Sequence, residues 1–350
     1  MQFGLMVDLG RTTDAVSMQQ NLDQVTELVK TADRVGFDVV VCGEHHGHEM
    51  TIAPAPFTLL TQWSHETSRV RLGTAVLCAP YWHPIRLAGE AALFDLISGG
   101  RLELGIGRGA YPYEFDRMAG GMPPEVARRQ LGELLPALRG LWRGNYAHAG
   151  SFYSFPATTS TPRPLRPEGP PIWVSARHPE VFAMAVENRA DLMVAPLSKG
   201  FEEVHSLMER RAAAISAVDN GFEPRIAVLR DTYVSPPGAD LTEAASYMHR
   251  AEGYFSNLFR TDGDVRDGWV SWTEPATDGG DPLSTIIANQ VLGDAAEVTA
   301  KVKNYAALGT DVYLYGGTWG LPFELELASI ERFGEEVIAA FRRAPVGTRR

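Results

Sequence analysis

Eight times along this chain a short apolar run of strand character is followed by a stretch of helical period, and that alternation limits the fold more than any other feature. The strand-like runs are 2–8, 38–42, 70–77, 102–106, 172–175, 192–195, 226–234 and 311–315. After the first of them, Leu22, Val25, Leu28, Val29, Ala32 and Val35 recur with the spacing of one helix face. Further helices are expected near 54–64, 84–97, 123–143, 179–188, 201–218, 240–258, 294–308 and 325–342. Several strands are continuous apolar runs, as a parallel strand covered on both faces requires. A (β/α)8 barrel needs roughly 250 residues. The 350 present therefore fit an α/β fold of one TIM barrel over residues 1–350, with a doubly wound open sheet as the competing arrangement.

Two segments interrupt the rhythm. Residues 144–169 are rich in Gly, Pro, Ser, Thr and aromatics, and form an excursion before the fifth strand. Residues 262–288 are rich in Gly, Asp and Trp and follow the helix after the seventh strand, where a barrel can carry a lid.

The net charge of −11 argues against nucleic acid or an anionic membrane as partner. The only cysteines, Cys42 and Cys78, suit a reducing compartment better than a disulfide framework. The chain starts directly into Phe3-Gly4-Leu5-Met6-Val7, and no apolar run approaches the roughly 18 residues of a membrane span. A soluble cytoplasmic protein is expected.

Chemistry is expected where barrel strands end. Glu44-His45-His46-Gly47-His48 follows the second strand, and its imidazoles can move protons, bind a metal or simply form a polar loop. His46-Gly47-His48 is the H-x-H pair of metal-dependent barrel hydrolases, but Gly316-Gly317-Thr318-Trp319 after the eighth strand supplies no further ligand; His178 is the one imidazole near the fifth. Gly105, Gly107 and Ala110 satisfy G-x-G-x-x-A, weakly, since Pro112 and Tyr113 break the immediate continuation. These glycines admit a flat ring or phosphate to the backbone, and Arg108 offers a fixed charge for phosphate or for an ion pair at the rim. Ser175, ahead of the helix opened by Pro179, marks an anion site or an N-cap. Gly99 and Gly100 end the preceding helix, and Asp95 and Arg101 are expected to pair across that turn. Trp63, Tyr81, Trp82, Tyr113, Trp269 and Trp272 are candidates for pocket walls or for packing.

Taken in order, Glu44-His45-His46, His83-Pro84, Ser98-Gly99-Gly100-Arg101, Gly107-Arg108-Gly109-Ala110-Tyr111, Gly293-Asp294-Ala295-Ala296-Glu297 and Leu308-Gly309-Thr310-Asp311 resemble the pattern of bacterial-luciferase-like flavin-dependent monooxygenases, from Phe3 to about Phe341. The resemblance implies a barrel that binds reduced FMN at its C-terminal face and oxygenates a small organic substrate through a peroxyflavin. It makes His45 the catalytic residue, and puts Arg108, Tyr111 and Ser175 around the phosphate and its approach. It also places a non-proline cis peptide at Ala75-Val76 under the flavin ring. No nicotinamide-binding domain is evident, so a separate flavin reductase is implied, as is a homodimer. Glycine stands at 107, where some luciferases have cysteine. Ala195-Pro196-Leu197 lacks the tryptophan that luciferase has after strand six, which weakens the expectation of light emission and of a long-chain aldehyde substrate. Rival readings are a deazaflavin-dependent oxidoreductase of the same barrel family, a metal-dependent hydrolase using His45, His46 and His48, and a flavin-binding protein without turnover.

Overall fold

The structure, a computed structural model, describes residues 1–276, 280–317 and 320–343. Strand β1 (Gln2–Met6) pairs in parallel with β2 (Val39–Cys42), and β2 with β3 (Arg71–Thr74). The order continues through β4 (Leu102–Gly107), β5 (Ile172–Ser175), β6 (Asp191–Val194), β7 (Ile226–Val234) and β8 (Val312–Gly316). Strand β8 then pairs back onto β1, from Gln2 opposite Val312 to Met6 opposite Gly316. That closure makes the sheet a (β/α)8 barrel and rules out the open alternative.

Alternation along each strand sorts the side chains. Val39, Val41, Trp173, Met193, Ala227, Val312 and Leu314 fill the barrel, while Phe3, Leu5, Val40 and Cys42 turn outward into the layer under the helices. The N-terminal end is plugged by a polar cluster. Glu103 pairs with Arg71 and accepts from Trp173 Nε1 at 2.6 Å. Arg225 pairs with Asp191 at 2.7 Å, and its guanidinium lies 4.5 Å from the Trp173 ring centroid. The open end is therefore the C-terminal one, where the strand ends and their loops face solvent.

The helices among the described residues include α1 (Met18–Val35), α2 (Pro56–Glu66), α3 (Pro84–Ile97), α4 (Pro112–Met118), α5 (Pro124–Arg143), α6 (Pro179–Glu187), α7 (Phe201–Val218), α8 (Thr242–Leu258), α9 (Pro282–Asn289), α10 (Ala295–Ala307) and α11 (Phe323–Arg332), which runs on through a π-helical turn (Phe333–Ile338) into α12 (Ala339–Arg343). Helices α2 to α6 and α9 all begin with proline, whose missing N–H costs nothing in the first turn. Helix α4 is one the periodicity did not show, because seven residues are too few to display a stripe.

The excursion at 144–169 holds an antiparallel hairpin, Tyr146–Ala149 with Ser154–Thr158. Glu133 of α5 pins its turn by accepting from the N–H groups of Ser151, Phe152 and Tyr153. The 262–288 segment contains a short hairpin, Val265–Arg266 with Trp269–Val270, and then α9; residues 277–279 of this expected lid lie outside the described residues, as do Thr318 and Trp319.

The expected pair of Asp95 with Arg101 is not formed. Gly99 and Gly100 both take positive φ, +66° and +84°, and turn the chain away from the helix end. Arg101 then donates to the carbonyls of Ser64, Val70 and Ser98 and to the Thr67 hydroxyl, and the Asp95 carboxylate accepts from Leu165 N at 3.0 Å. Cys42 and Cys78 are free and buried. No described helix is long and apolar enough to cross a membrane.

Candidate active site

The residues following β2 part company. Glu44, only 3% exposed, turns inward. Its Oε2 accepts from Cys78 N at 2.7 Å and Trp82 Nε1 at 2.9 Å, and its Oε1 faces His46 Nε2 at 3.1 Å. Glu44 and His46 thus brace the loop against the chain after β3. His45 points elsewhere. Its Nδ1 lies 3.1 Å from Glu114 Oε1, and its ring stacks on Tyr111 with centroids 5.1 Å apart. Tyr111 in turn packs edge-on against Phe259.

Glu114 sits in the first turn of α4, where a carboxylate complements the helix dipole. It is 1% exposed, and the same Oε1 accepts the backbone N–H of His46 at 2.8 Å. His48 Nε2 is 3.4 Å from that oxygen, with the His48 side chain fully buried. Burial alone would lift the Glu114 pKa, but the hydrogen bonds of His45 and His48, the charge of His45 and the His46 N–H draw it down to about 2. Burial works to lower the His45 pKa, and the hydrogen bond and charge of Glu114, with smaller help from Asp8 and Glu44, override it and hold His45 above its usual value. An ionised carboxylate only accepts, so Nδ1 of His45 carries a proton. Neutral His45 therefore presents a bare Nε2, a proton acceptor. Gly43 makes room for that edge, since a Cβ there would lie 3.2 Å from His45 Nε2 and 3.4 Å from Asp8 Oδ1.

A second group of residues surrounds the ends of β3, β4 and β5. The Ala75–Val76 peptide is cis, and both residues pack on top of the barrel interior. A Cβ on Gly107 would fall 2.5 Å from Val76 Cγ2 and 3.3 Å from Ser175 Cβ, so these three residues adjoin and the glycine keeps the space between them open. Among the described residues Arg108 makes no ion pair, and its Nη1 is buried without a hydrogen-bond partner, so the rim pair that its sequence context allowed is not formed. Burial, then the nearby charge of Arg128, lowers its pKa. Arg128, on α5, pairs with the exposed Glu180 at 2.8 Å, yet its Nε is also buried and unpartnered. Two like charges held together with unfilled donors fit a dianion such as phosphate. Ser175, which adjoins Gly107, is exposed and is not the N-cap of α6, a role taken by His178.

The structure thus groups Val76, Gly107 and Ser175, sets Arg108 next along the chain, and places Tyr111 on the His45 ring. Sequence reasoning missed Glu114 and Arg128. An acid in a helix first turn reads as dipole compensation, and an arginine on an amphipathic helix reads as its solvated face. The three-histidine cluster is not assembled: the ligating atoms that lie within 4.8 Å of one another belong to His45, His48 and Glu114, with His46 turned to Glu44. Of the aromatic candidates, Trp63 donates to Thr26 in the core and Trp82 to Glu44. Tyr81 packs on His46, Tyr113 bonds Gly47 O, and Trp272 is 43% exposed. Trp269 lines a cleft of about 270 Å³ with Arg11, Met50 and Tyr254. The hairpin bearing it is tied down by Glu49 N donating to Gly268 O at 2.7 Å.

Residues 1–312 match the family model for luciferase-like monooxygenases. The chain is 41% identical, over 100% of its own length and 98% of the relative's, to the oxygenase component of the flavin-dependent trigonelline monooxygenase of Acinetobacter baylyi. In fold it matches the oxygenating constituent of 3,6-diketocamphane monooxygenase of Pseudomonas putida, solved in complex with FMN (TM-score 0.73, 19% identity, 96% of this chain and 98% of that one). It also matches an F420-dependent secondary alcohol dehydrogenase solved with an F420–acetone adduct (TM-score 0.75, 18% identity, 97% and 98%). The chain belongs to the luciferase-like monooxygenases, flavin-dependent oxidoreductases that act with dioxygen.

Proposed function

We propose that this protein is the oxygenase component of a two-component monooxygenase, taking reduced FMN from a separate reductase and oxygenating a small heteroaromatic acid of the trigonelline type. The observation that carries the reading is the Glu114–His45 couple, poised at the barrel mouth beside a glycine-lined recess with two incompletely paired arginines. The arginines support FMN in particular, because Arg108 and Arg128 have donors to spare for a phosphate dianion and Ser175 adds a hydroxyl. Ala75, Val76 and Gly107 would support the flat ring system. Bound reduced flavin supplies the activation of dioxygen.

The protein's own part is proton handling and exclusion of water. His45 Nε2 takes or returns a proton at the reacting oxygen, while Glu114 holds the ring by Nδ1 and stabilises its protonated form. Tyr111, whose phenol burial pushes up and keeps neutral, stacks on the imidazole and is backed edge-on by Phe259. The heteroaromatic substrate class is supported by the 41% identity to the trigonelline enzyme over both chains. The cleft walled by Trp269, Tyr254 and Met50 suits a small aromatic compound. The family resemblance supports a homodimer, the two free cysteines a reducing cytoplasm, the eightfold βα rhythm a single barrel domain, and the Gly- and Asp-rich run at 262–288 a lid.

The test combines the protein with FMN, a flavin reductase, NADH and trigonelline under ¹⁸O₂, followed by mass spectrometry. One ¹⁸O atom in the product, dependent on every component, is expected. Tight binding of F420 but not FMN, with hydride transfer and no oxygen incorporation, would replace this reading with that of a deazaflavin enzyme.

A further inference from the structure

On the inner side of His45 the Glu114–His45 couple is joined by a second imidazole, His48, which proton handling by His45 does not require. Glu114 Oε1 is 3.1 Å from His45 Nδ1 and 3.4 Å from His48 Nε2, and a ligating atom from each of the three residues lies within 4.8 Å of those of the other two. Zinc-class ions bind histidine nitrogen and carboxylate oxygen at about 2.0–2.2 Å, which sets tetrahedral ligands roughly 3.3–3.5 Å apart. The two short edges are close to that spacing. The buried polar atoms here are also incompletely satisfied: Glu114 Oε2 and Thr51 Oγ1 have no hydrogen-bond partner and His48 Nε2 has only its long 3.4 Å contact with Glu114 Oε1, although the His48 side chain is fully buried and Glu114 is 1% exposed. Buried polar atoms seldom remain orphaned, so several around one point call for an occupant.

We infer that His45, His48 and Glu114 form a binding site for a divalent transition ion of the zinc class, and that its occupancy inhibits the enzyme. The ion takes His45 Nδ1, His48 Nε2 and Glu114 Oε1, with the fourth position left to solvent. His48 must then carry its proton on Nδ1. In the free protein that nitrogen accepts from Thr51 N at 3.4 Å, so metal binding reverses the His48 tautomer and gives up this bond, and the buried Thr51 hydroxyl has no partner of its own. Harder ions such as Mg²⁺ are disfavoured by a set with two imidazoles. Inhibition follows because the ion replaces the proton that His45 shares with Glu114, and the imidazole can no longer cycle. That consequence rests on the function proposed for His45; the binding itself does not.

Titration of the metal-free protein with Co²⁺ reads binding by the visible absorption of a tetrahedral cobalt site, and Zn²⁺ competition gives its affinity. Saturable 1:1 binding is expected, weakened at least about tenfold by both His48→Asn and Glu114→Gln and retained in His46→Ala, with thermal unfolding confirming that each variant is folded. Zn²⁺ should then abolish product formation, with a chelator restoring it, and leave flavin affinity within about twofold. No cobalt spectrum from the folded parent protein would overturn the site and leave a buried water as its occupant. Binding that both variants leave unchanged would overturn it as well. Co²⁺ binding without any oxygenation in metal-free protein would instead fault the function proposed for His45 and leave the metal site standing.

Discussion

Glu114 Oε1 accepts at once from His45 Nδ1 at 3.1 Å and from the backbone N–H of His46 at 2.8 Å, joining the loop after β2 to the first turn of α4. One carboxylate oxygen thereby sets the position of the loop, the tautomer of His45 and the pKa of both groups. An orienting carboxylate behind a working imidazole is the logic of hydrolase triads, reached here on a different fold and for a different reaction.

Replacing Glu114 by Gln should therefore change how His45 titrates. The His45 pKa is raised in the folded protein, so its contribution to stability is full below about 6.5 and is lost as pH rises through the folded value. The Glu114 pKa is lowered from 4.5 to about 2, so its contribution is full above 4.5 and is lost as pH falls toward 2. In Glu114→Gln, NMR titration should show the His45 pKa falling below its parent value. The pH limb of turnover should move the same way, and unfolding stability should depend less on pH between 4.5 and 2. An unmoved His45 titration would remove Glu114 from this role.

The contrast with Glu44 is sharp, because that acid serves Cys78 N, Trp82 Nε1 and His46 and only adds a minor charge at His45. Glu44→Gln puts an amide where two donors converge on one oxygen. It should cost roughly 1–3 kcal/mol of stability, the penalty of leaving a buried donor unmet. The pH profile should keep its shape. Denaturant unfolding and the pH–rate curve of the same sample separate the two effects, and a displaced limb with intact stability would reverse the assignment.

At the anion site, Arg108→Ala and Arg128→Ala should each weaken reduced FMN binding. The loss expected is about 1.5–3 kcal/mol, the usual worth of a hydrogen bond to a charged group. Arg128 should fall at the low end, since Glu180 already holds part of its guanidinium. Fluorescence titration with FMN and with riboflavin, which lacks the phosphate, checks this: the variants should differ from the parent for FMN and match it for riboflavin.

Gly107→Ala tests the recess itself. The added methyl meets Val76 Cγ2 at 2.5 Å, and overpacking of that kind costs about 1–3 kcal/mol. A lower melting temperature together with weaker binding of both FMN and riboflavin is expected. Parental affinity for both would show that no ring lies there.

How far the sequence reached depends on which signals are local. The strands were readable because burial on both faces writes a continuous apolar run, as in Val39–Cys42. His45 and Arg108 could be picked because each comes just after such a run. Glu114 could not, because its partner lies 69 positions away and nothing in Pro112-Tyr113-Glu114 distinguishes a functional carboxylate from a helix-start acid. The Asp95–Arg101 expectation failed for the related reason that adjacency in sequence does not fix direction, and two left-handed glycines send Arg101 toward carbonyls instead. The hairpin at 146–158 was hidden by its short strands, which carry more exposed than buried positions.

The most direct test is to mix bound reduced FMN rapidly with oxygen in the presence of substrate, and compare the parent with His45→Ala. The variant should fold and bind reduced FMN like the parent. Its rate of product formation should fall roughly 100- to 10,000-fold, the range of general acid–base assistance, with the consumed oxygen recovered as hydrogen peroxide. A His45→Ala enzyme that turns oxygen into product as efficiently as the parent would contradict the assignment of proton transfer to His45.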